Sequence, residues 1–199
     1  MSFSAVILAG GKSSRMGRDK AFLEIGGQTL LARQIEIVRA AGASEVFISG
    51  RAEVDYSSFG CRVLKDNFPD AGPLAGIEAA LVTATNPLLL VLAVDLPTMT
   101  VEFLQRLRRG CAENTGAIPR LDGSLEPLAA FYPKALQPLA KTLLCAGKNA
   151  VAGFAQRCVQ TGHAQFFDLP AGDIKIFANW NSPADLNLKT FANPVHFPP

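Results

Sequence analysis

The run Leu88-Leu-Leu-Val-Leu-Ala-Val94 is apolar without interruption. A strand with one wet face alternates polar and apolar residues, whereas a strand covered on both faces has no such need. At strand length, after Pro87 and before Asp95-Leu96-Pro97, the run reads as the most buried, central strand of a parallel sheet. That demands helices on both faces, and the chain supplies them. Leu31, Ile35 and Val38 recur at helical spacing after a plausible N-cap, Thr29, and Gly26-Gly27 marks a turn before it. Val46-Phe-Ile is a further strand. Leu74, Ile77 and Leu81 line one face of a helix opened by Pro73, and Phe103, Leu104 and Leu107 line one capped by Thr100. Strands alternating with helices predict an open, mostly parallel, Rossmann-like α/β sheet with helices on both faces.

The second half is less regular. Ala117-Ile-Pro and Leu128 to Tyr132 are strand-like around the turn Asp122-Gly-Ser, and Ala135 to Gln160 reads as two helices broken near Gly147. Phe166-Phe167 and Ile176-Phe177 are short strand candidates. Ser182-Pro-Ala-Asp185 opens a last helix, and residues 193–199, with three prolines, form a loose tail.

A chemistry is suggested by Leu8 to Lys20, directly after the first apolar run. Gly10, Gly11 and Gly17 let backbone N–H groups converge on an anion, while Lys12, Arg15, Arg18 and Lys20 supply positive charge. Arg15 can fork onto a phosphate oxygen pair, and Lys20 adds a mobile point charge. A Walker A loop would need glycine where Val6 stands, and a dinucleotide fingerprint would need glycine at Lys12, so this is a different phosphate loop. A basic glycine-rich stretch is otherwise a solvated surface loop. Its place at the carboxyl end of a buried strand favours ligand binding.

The pattern Leu-Ala-Gly-Gly-x-Ser-x-Arg-Met-Gly-x-x-Lys, complete from Leu8 to Lys20, resembles the signature of the MobA-like nucleotidyltransferases typified by molybdenum cofactor guanylyltransferase. Relatives that use CTP usually read Leu-Ala-Ala-Gly there, and Gly10 favours the guanylyl branch. The resemblance implies a nucleotide-diphospho-sugar transferase-like fold and transfer of GMP from GTP to molybdopterin with Mg²⁺. It also implies one domain over residues 1–192, nucleotide-binding to about 99 and acceptor-binding beyond.

Asp95, after the central strand, occupies the position of the family's Mg²⁺ aspartate; its residue type suits Mg²⁺ as well as a cap on the turn into Pro97. Asp66 aligns with a nucleotide-contacting aspartate, although a solvated turn residue would look the same. Leu8, Ala9, Gly10, Gly11, Ser13, Arg15, Lys20, Gly72, Pro73, Leu74 and Gly76 fall on the pocket segments. Ser49 stands where a relative has a contacting asparagine. On the acceptor side, Glu126-Pro-Leu-Ala-Ala-Phe-Tyr replaces a segment that usually starts with His or Gln. Lys148 stands beside Asn149, where the family has arginine. Asn179 and Asn181 match an Asn-x-Asn ending whose plain reading is a helix start.

Composition narrows the rest. The 199 residues suit one α/β domain, and 49% hydrophobic with 18% charged residues is a globular balance. A formal charge of +2 gives no case for nucleic acid. No apolar run reaches membrane length, and Met1-Ser-Phe-Ser lacks a basic signal-peptide start, so the expectation is a cytoplasmic enzyme. Its partners would be GTP and molybdopterin, with contact to molybdoenzymes or their chaperones. Cys61, Cys111, Cys145 and Cys158 form no C-x-x-C pair and read as reduced thiols, mostly in the core. With two separated histidines they make no zinc site. The alternatives are a cytidylyl or sugar-phosphate transferase, and a non-catalytic nucleotide-binding adaptor.

Overall fold

A computed structural model describes residues 2–10, 20–112 and 114–177. Its strands are β1 (Phe3–Leu8), β2 (Glu24–Ile25), β3 (Gln28–Thr29), β4 (Ala43–Ser49), β5 (Arg62–Leu64), β6 (Leu88–Ala93), β7 (Gly116–Leu121), β8 (Ser124–Leu125), β9 (Ala129–Pro133) and β10 (Ala164–Asp168). The α-helices are α1 (Leu30–Ala40), α2 (Pro73–Thr83), α3 (Val101–Arg109), α4 (Gln137–Cys145) and α5 (Val151–Gln160). Among the described residues, the main sheet runs β10-β7-β9-β6-β1-β4-β5, with β8 paired to β7. β2 and β3 form a separate small hairpin across Gly26 and Gly27, both at positive φ.

The first half is parallel, as expected. β1 pairs in parallel with β4 and β6, and β4 with β5. The chain therefore moves outward from β1 to β5 and then returns to β6 on the opposite flank. Strand order reverses between β1 and β6, and in open α/β sheets ligands bind outside the carboxyl ends at such a point. β6 is buried along its whole length, as its unbroken apolar sequence requires. Its neighbour on the other side, β9, is antiparallel to it and to β7, while β10 is parallel to β7.

Alternation along β1 sorts the core into two layers. Phe3, Ala5, Ile7 and Ala9 pack with α1 and α3, and Val6 and Leu8 pack with α2, α4 and α5. Helix starts follow their capping residues. Thr29 accepts a hydrogen bond from the Ala32 N–H and Thr100 one from the Phe103 N–H, each at 3.2 Å. Gly42 and Gly147 take positive φ just past α1 and α4.

Ile176-Phe177 forms no strand. Residues Ala171–Phe177 coil into a 3-10 helix. Thr98 Oγ1 donates to the Lys175 and Ile176 carbonyls, Arg106 pairs with Asp173, and the Phe177 ring meets Phe103 edge-on at 5.3 Å. These contacts curl the segment over α3, where an extended chain would lose them. The cysteines are also less buried than expected: Cys158 is in the core, Cys61 and Cys111 are half-buried, and Cys145 is exposed at the end of α4. No described helix is long and apolar enough to cross a membrane. The last-helix and tail expectations, residues 182–199, lie outside the described residues.

Candidate functional site

The carboxyl ends of β1 and β6 are tied together where strand order reverses. The Val94 N–H donates to the Leu8 carbonyl at 3.1 Å, and the Ala93 N–H to the Leu128 carbonyl at 2.8 Å. Beyond this seam Asp95 leaves β6, and the chain re-enters the described structure at Lys20 in a short 3-10 helix, Lys20–Phe22. Ala21, fully buried, pins that helix into the core. Lys20 Nζ donates to Asp95 Oδ2 at 3.0 Å, with the side chains 18% and 26% exposed. Residues far apart in sequence thus make one ion pair at the strand ends. No described residue engages Asp95 Oδ1.

The Asp95 turn is held from α1. Gln34, fully buried, donates from Nε2 to the Leu96 carbonyl at 2.6 Å, and Arg33 Nε donates to the Pro97 carbonyl at 3.0 Å. Neither support is visible in the sequence, because a glutamine and an arginine on an amphipathic helix look like solvent-facing positions. Tyr56 was equally silent. It is 1% exposed, its hydroxyl accepts from the Arg51 N–H at 3.2 Å, and Phe22 stacks on its ring at 5.9 Å between centroids. Gly50 must be glycine here, since a Cβ would lie 2.3 Å from the Tyr56 ring.

Several predicted pocket residues also make structural contacts at the strand ends. Gly10 is not at positive φ. Its N–H and that of Ala9 both donate to the Ser49 carbonyl, at 3.1 and 2.8 Å. Those amides anchor the root of the loop to β4, so the reading of Gly10 as a flexible anion donor is corrected. Ser49 is buried and its side chain faces α2: a Cβ on Gly76 would lie 2.2 Å from Ser49 Oγ and 3.1 Å from Leu8 Cδ2. Gly76 therefore permits close helix–sheet packing, and Leu8 and Leu74 are buried in the same layer. Gly72, at φ 74°, turns the chain into α2, and Pro73 occupies the first turn where no N–H is needed.

Asp66 follows β5 on the same edge. One oxygen, Oδ1, is out of contact with solvent and has no hydrogen-bond partner among the described residues. Burial, and then the negative charge of Glu78, hold its carboxyl above the ordinary carboxylate range. Glu126 lies between β8 and β9, its N–H bonded to the Pro119 carbonyl at 2.9 Å, and burial raises its carboxyl too. Lys148 is exposed in the turn between α4 and α5. That turn returns to the carboxyl edge of the sheet, because β9 ends and β10 begins at the opposite edge. No described contact joins Lys148 to Lys20 or Asp95. Gly11, Ser13, Arg15, Asn179 and Asn181 lie outside the described residues.

A carboxylate and an ammonium at a topological switch point suit a polyphosphate with a divalent cation. Mg²⁺ takes one or two carboxylates and completes its shell with phosphate oxygens and water. Among the described residues no three His, Cys, Asp or Glu side chains cluster to enclose a metal.

Comparison with known proteins agrees with this geometry. The family model described as MobA-like NTP transferase domain matches residues 5–161. A protein of Opitutus terrae named "Probable molybdenum cofactor guanylyltransferase" is 39% identical over 187 residues, covering 92% of this chain and 93% of the relative. One from Syntrophotalea carbinolica, named "Molybdenum cofactor guanylyltransferase", is 34% identical over 189 residues, 92% of this chain and 88% of that protein. Among solved structures, the molybdopterin-guanine dinucleotide biosynthesis protein A of Archaeoglobus fulgidus superimposes with a TM-score of 0.73 at 22% identity, covering 92% of this chain and 94% of that one. At that identity it speaks for the fold. The chain belongs to the MobA-like NTP transferase family of nucleotidyltransferases.

Proposed function

We propose that the protein transfers GMP from GTP to the terminal phosphate of molybdopterin, in the cytoplasm, and passes the dinucleotide cofactor to molybdoenzymes or their chaperones. The observation that carries this reading is the Lys20–Asp95 ion pair at the reversal point between β1 and β6. The names of the curated relatives supply its nucleotide and acceptor.

A terminal phosphate oxygen of molybdopterin forms a bond to the α-phosphorus of GTP. The bond from that phosphorus to the α–β bridging oxygen breaks, and pyrophosphate departs with the electron pair. The attacking phosphate is already ionised near neutral pH and needs no strong base. The protein's task is to align two anions and to offset their charge. Lys20, released from Asp95, meets the phosphate oxygens, and Arg15 does so from the loop. Asp95 would hold Mg²⁺, which when bound neutralises charge on the phosphates. Asp66 contacts the nucleotide. In this reading residues 1–99 form the nucleotide half and 100–192 the acceptor half, with Lys148, Asn179 and Asn181 toward molybdopterin.

Lys20→Ala and Asp95→Ala should each lower pyrophosphate release about 10²–10³-fold while leaving the melting temperature within a few degrees. Near-normal turnover in either would refute the assignment. Thermal-shift titration with Mg²⁺ and GTP, CTP, ATP or UTP tests the base; preference for CTP sinks the guanylyl reading. Tight GTP binding with no pyrophosphate released on adding molybdopterin would mark a non-catalytic adaptor.

A further inference from the structure

The carboxylate of Glu78 has no place in the chemistry above. It lies mid-way along α2 and is 2% exposed, the one fully buried ionisable carboxylate among the described residues. A buried carboxylate is costly unless its lone pairs are met. Glu78 meets that demand with two neutral amides from two other parts of the chain. Asn67 Nδ2 donates to Oε2 at 3.0 Å, and Gln137 Nε2 donates to Oε1 at 2.7 Å. Asn67 is next to Asp66 in the loop between β5 and α2, and Gln137 is the first residue of α4, beyond β9. One side chain therefore joins the nucleotide-half loop, the nucleotide-half helix and a helix of the second half.

We propose that Glu78 is a positioning residue, holding the Asp66–Asn67 loop against α2 and α4 so that Asp66 is presented to the nucleotide. This rests on the reading of Asp66 as a nucleotide contact. The arrangement is directional. A hydrocarbon at position 78 would fill the space but would leave both amides without acceptors, and glutamine would set an N–H₂ group against one of the two donors. A single acceptor would hold one segment only. The Glu78 charge also acts on Asp66 itself, adding to burial in raising its carboxyl. Lys65 and Asp70 share the Asp66 loop, and α4 contributes the neutral Gln137.

The test is the GTP dependence of turnover, with Mg²⁺ and molybdopterin saturating, across pH 4.5–8 for Glu78→Gln, Asn67→Ala and Asp66→Asn. Asp66→Asn should raise KM for GTP and abolish the acid limb of kcat/KM. Glu78→Gln should raise KM about tenfold with kcat within about twofold, and should move the acid limb to lower pH, because the charge that raises Asp66 is gone. Asn67→Ala should raise KM to a similar extent and leave the limb where it was; it also decides the matter if Glu78→Gln fails to fold. If Asp66→Asn changes KM and the limb but Glu78→Gln and Asn67→Ala leave both at wild-type values, Glu78 merely fills space and the proposal is overturned. A fall in kcat at unchanged KM overturns it as well. If Asp66→Asn changes nothing, the Asp66 reading fails and the proposal falls with it.

Discussion

α2 packs closely against the ends of β1 and β4, and Gly76→Ala probes that contact directly. A Cβ there would approach Ser49 Oγ to 2.2 Å, Ser49 Cβ to 2.9 Å and Leu8 Cδ2 to 3.1 Å. Rotation of Ser49 relieves the first contact alone. The second involves an atom fixed by the strand backbone and falls about 0.6 Å short of the 3.5 Å at which carbon pairs attract. Leu8 is buried and its register is fixed by pairing with Ser49 and Ala93. The helix must therefore lift, and overpacking of this kind costs about 2–3 kcal/mol. For a chain of this size that is a fall in Tm of about 4–12 °C, read by calorimetry or circular dichroism. Ser49→Gly removes both serine contacts. Alone it should cost about 0.5–1 kcal/mol through strand entropy, yet combined with Gly76→Ala it should return about 1–2 kcal/mol of coupling in a double-mutant cycle. A Gly76→Ala protein melting within a degree of wild type would refute the argument, as would a double variant no better than the sum of its parts.

Two further outcomes follow from the same kind of reasoning. Gly116→Ala should abolish folding, because its Cβ would sit 2.0 Å from the Phe131 carbonyl oxygen on the paired strand, and neither backbone can yield; a soluble, cooperatively melting Gly116→Ala protein would contradict it. Asp66→Asn should raise the melting temperature at pH 7 while weakening GTP binding. Its carboxyl is raised in the folded state, so wild type is relatively favoured in acid and loses that advantage as pH rises through the raised value. The Tm gap between the two proteins should close near pH 4, and a gap independent of pH would speak against buried charge as its origin.

The parallel half was legible in the sequence because its signals are local. An unbroken apolar run, helical spacing, and threonines ahead of helices each state their structure within a few residues. β9 gave no such signal about direction. Ala-Ala-Phe-Tyr is buried on both faces, and a strand with two apolar faces reads the same whichever way it runs. The coil over α3 was hidden for a different reason, since Ile176-Phe177 is held by Thr98 and Phe103, far away in sequence. In the site, the Lys20–Asp95 pair followed from two strand ends. Ser49, Gly10 and Gly76 resisted because sequence places a residue at an edge without saying which way it points. Glu78 and Gln34 resisted because a polar side chain on a helix reads as wet until the element that covers it is known.

The reversal of β9 has a consequence for how this architecture diversifies. In the first half the chain after β5 leads into α2 and the chain after β6 into α3, so altering either loop disturbs a crossover that the core depends on. Beside β6 the chain arrives from the β7–β8 hairpin, whose tip, Asp122 and Gly123 at positive φ, lies beyond the last β6–β9 pair. A hairpin can be lengthened, shortened or exchanged without rethreading a helix. The fold thus joins a parallel half whose loops are bound to its crossovers to a second half whose hairpin can be edited as a cassette, so a lineage built on it can vary the second while the first stays in place.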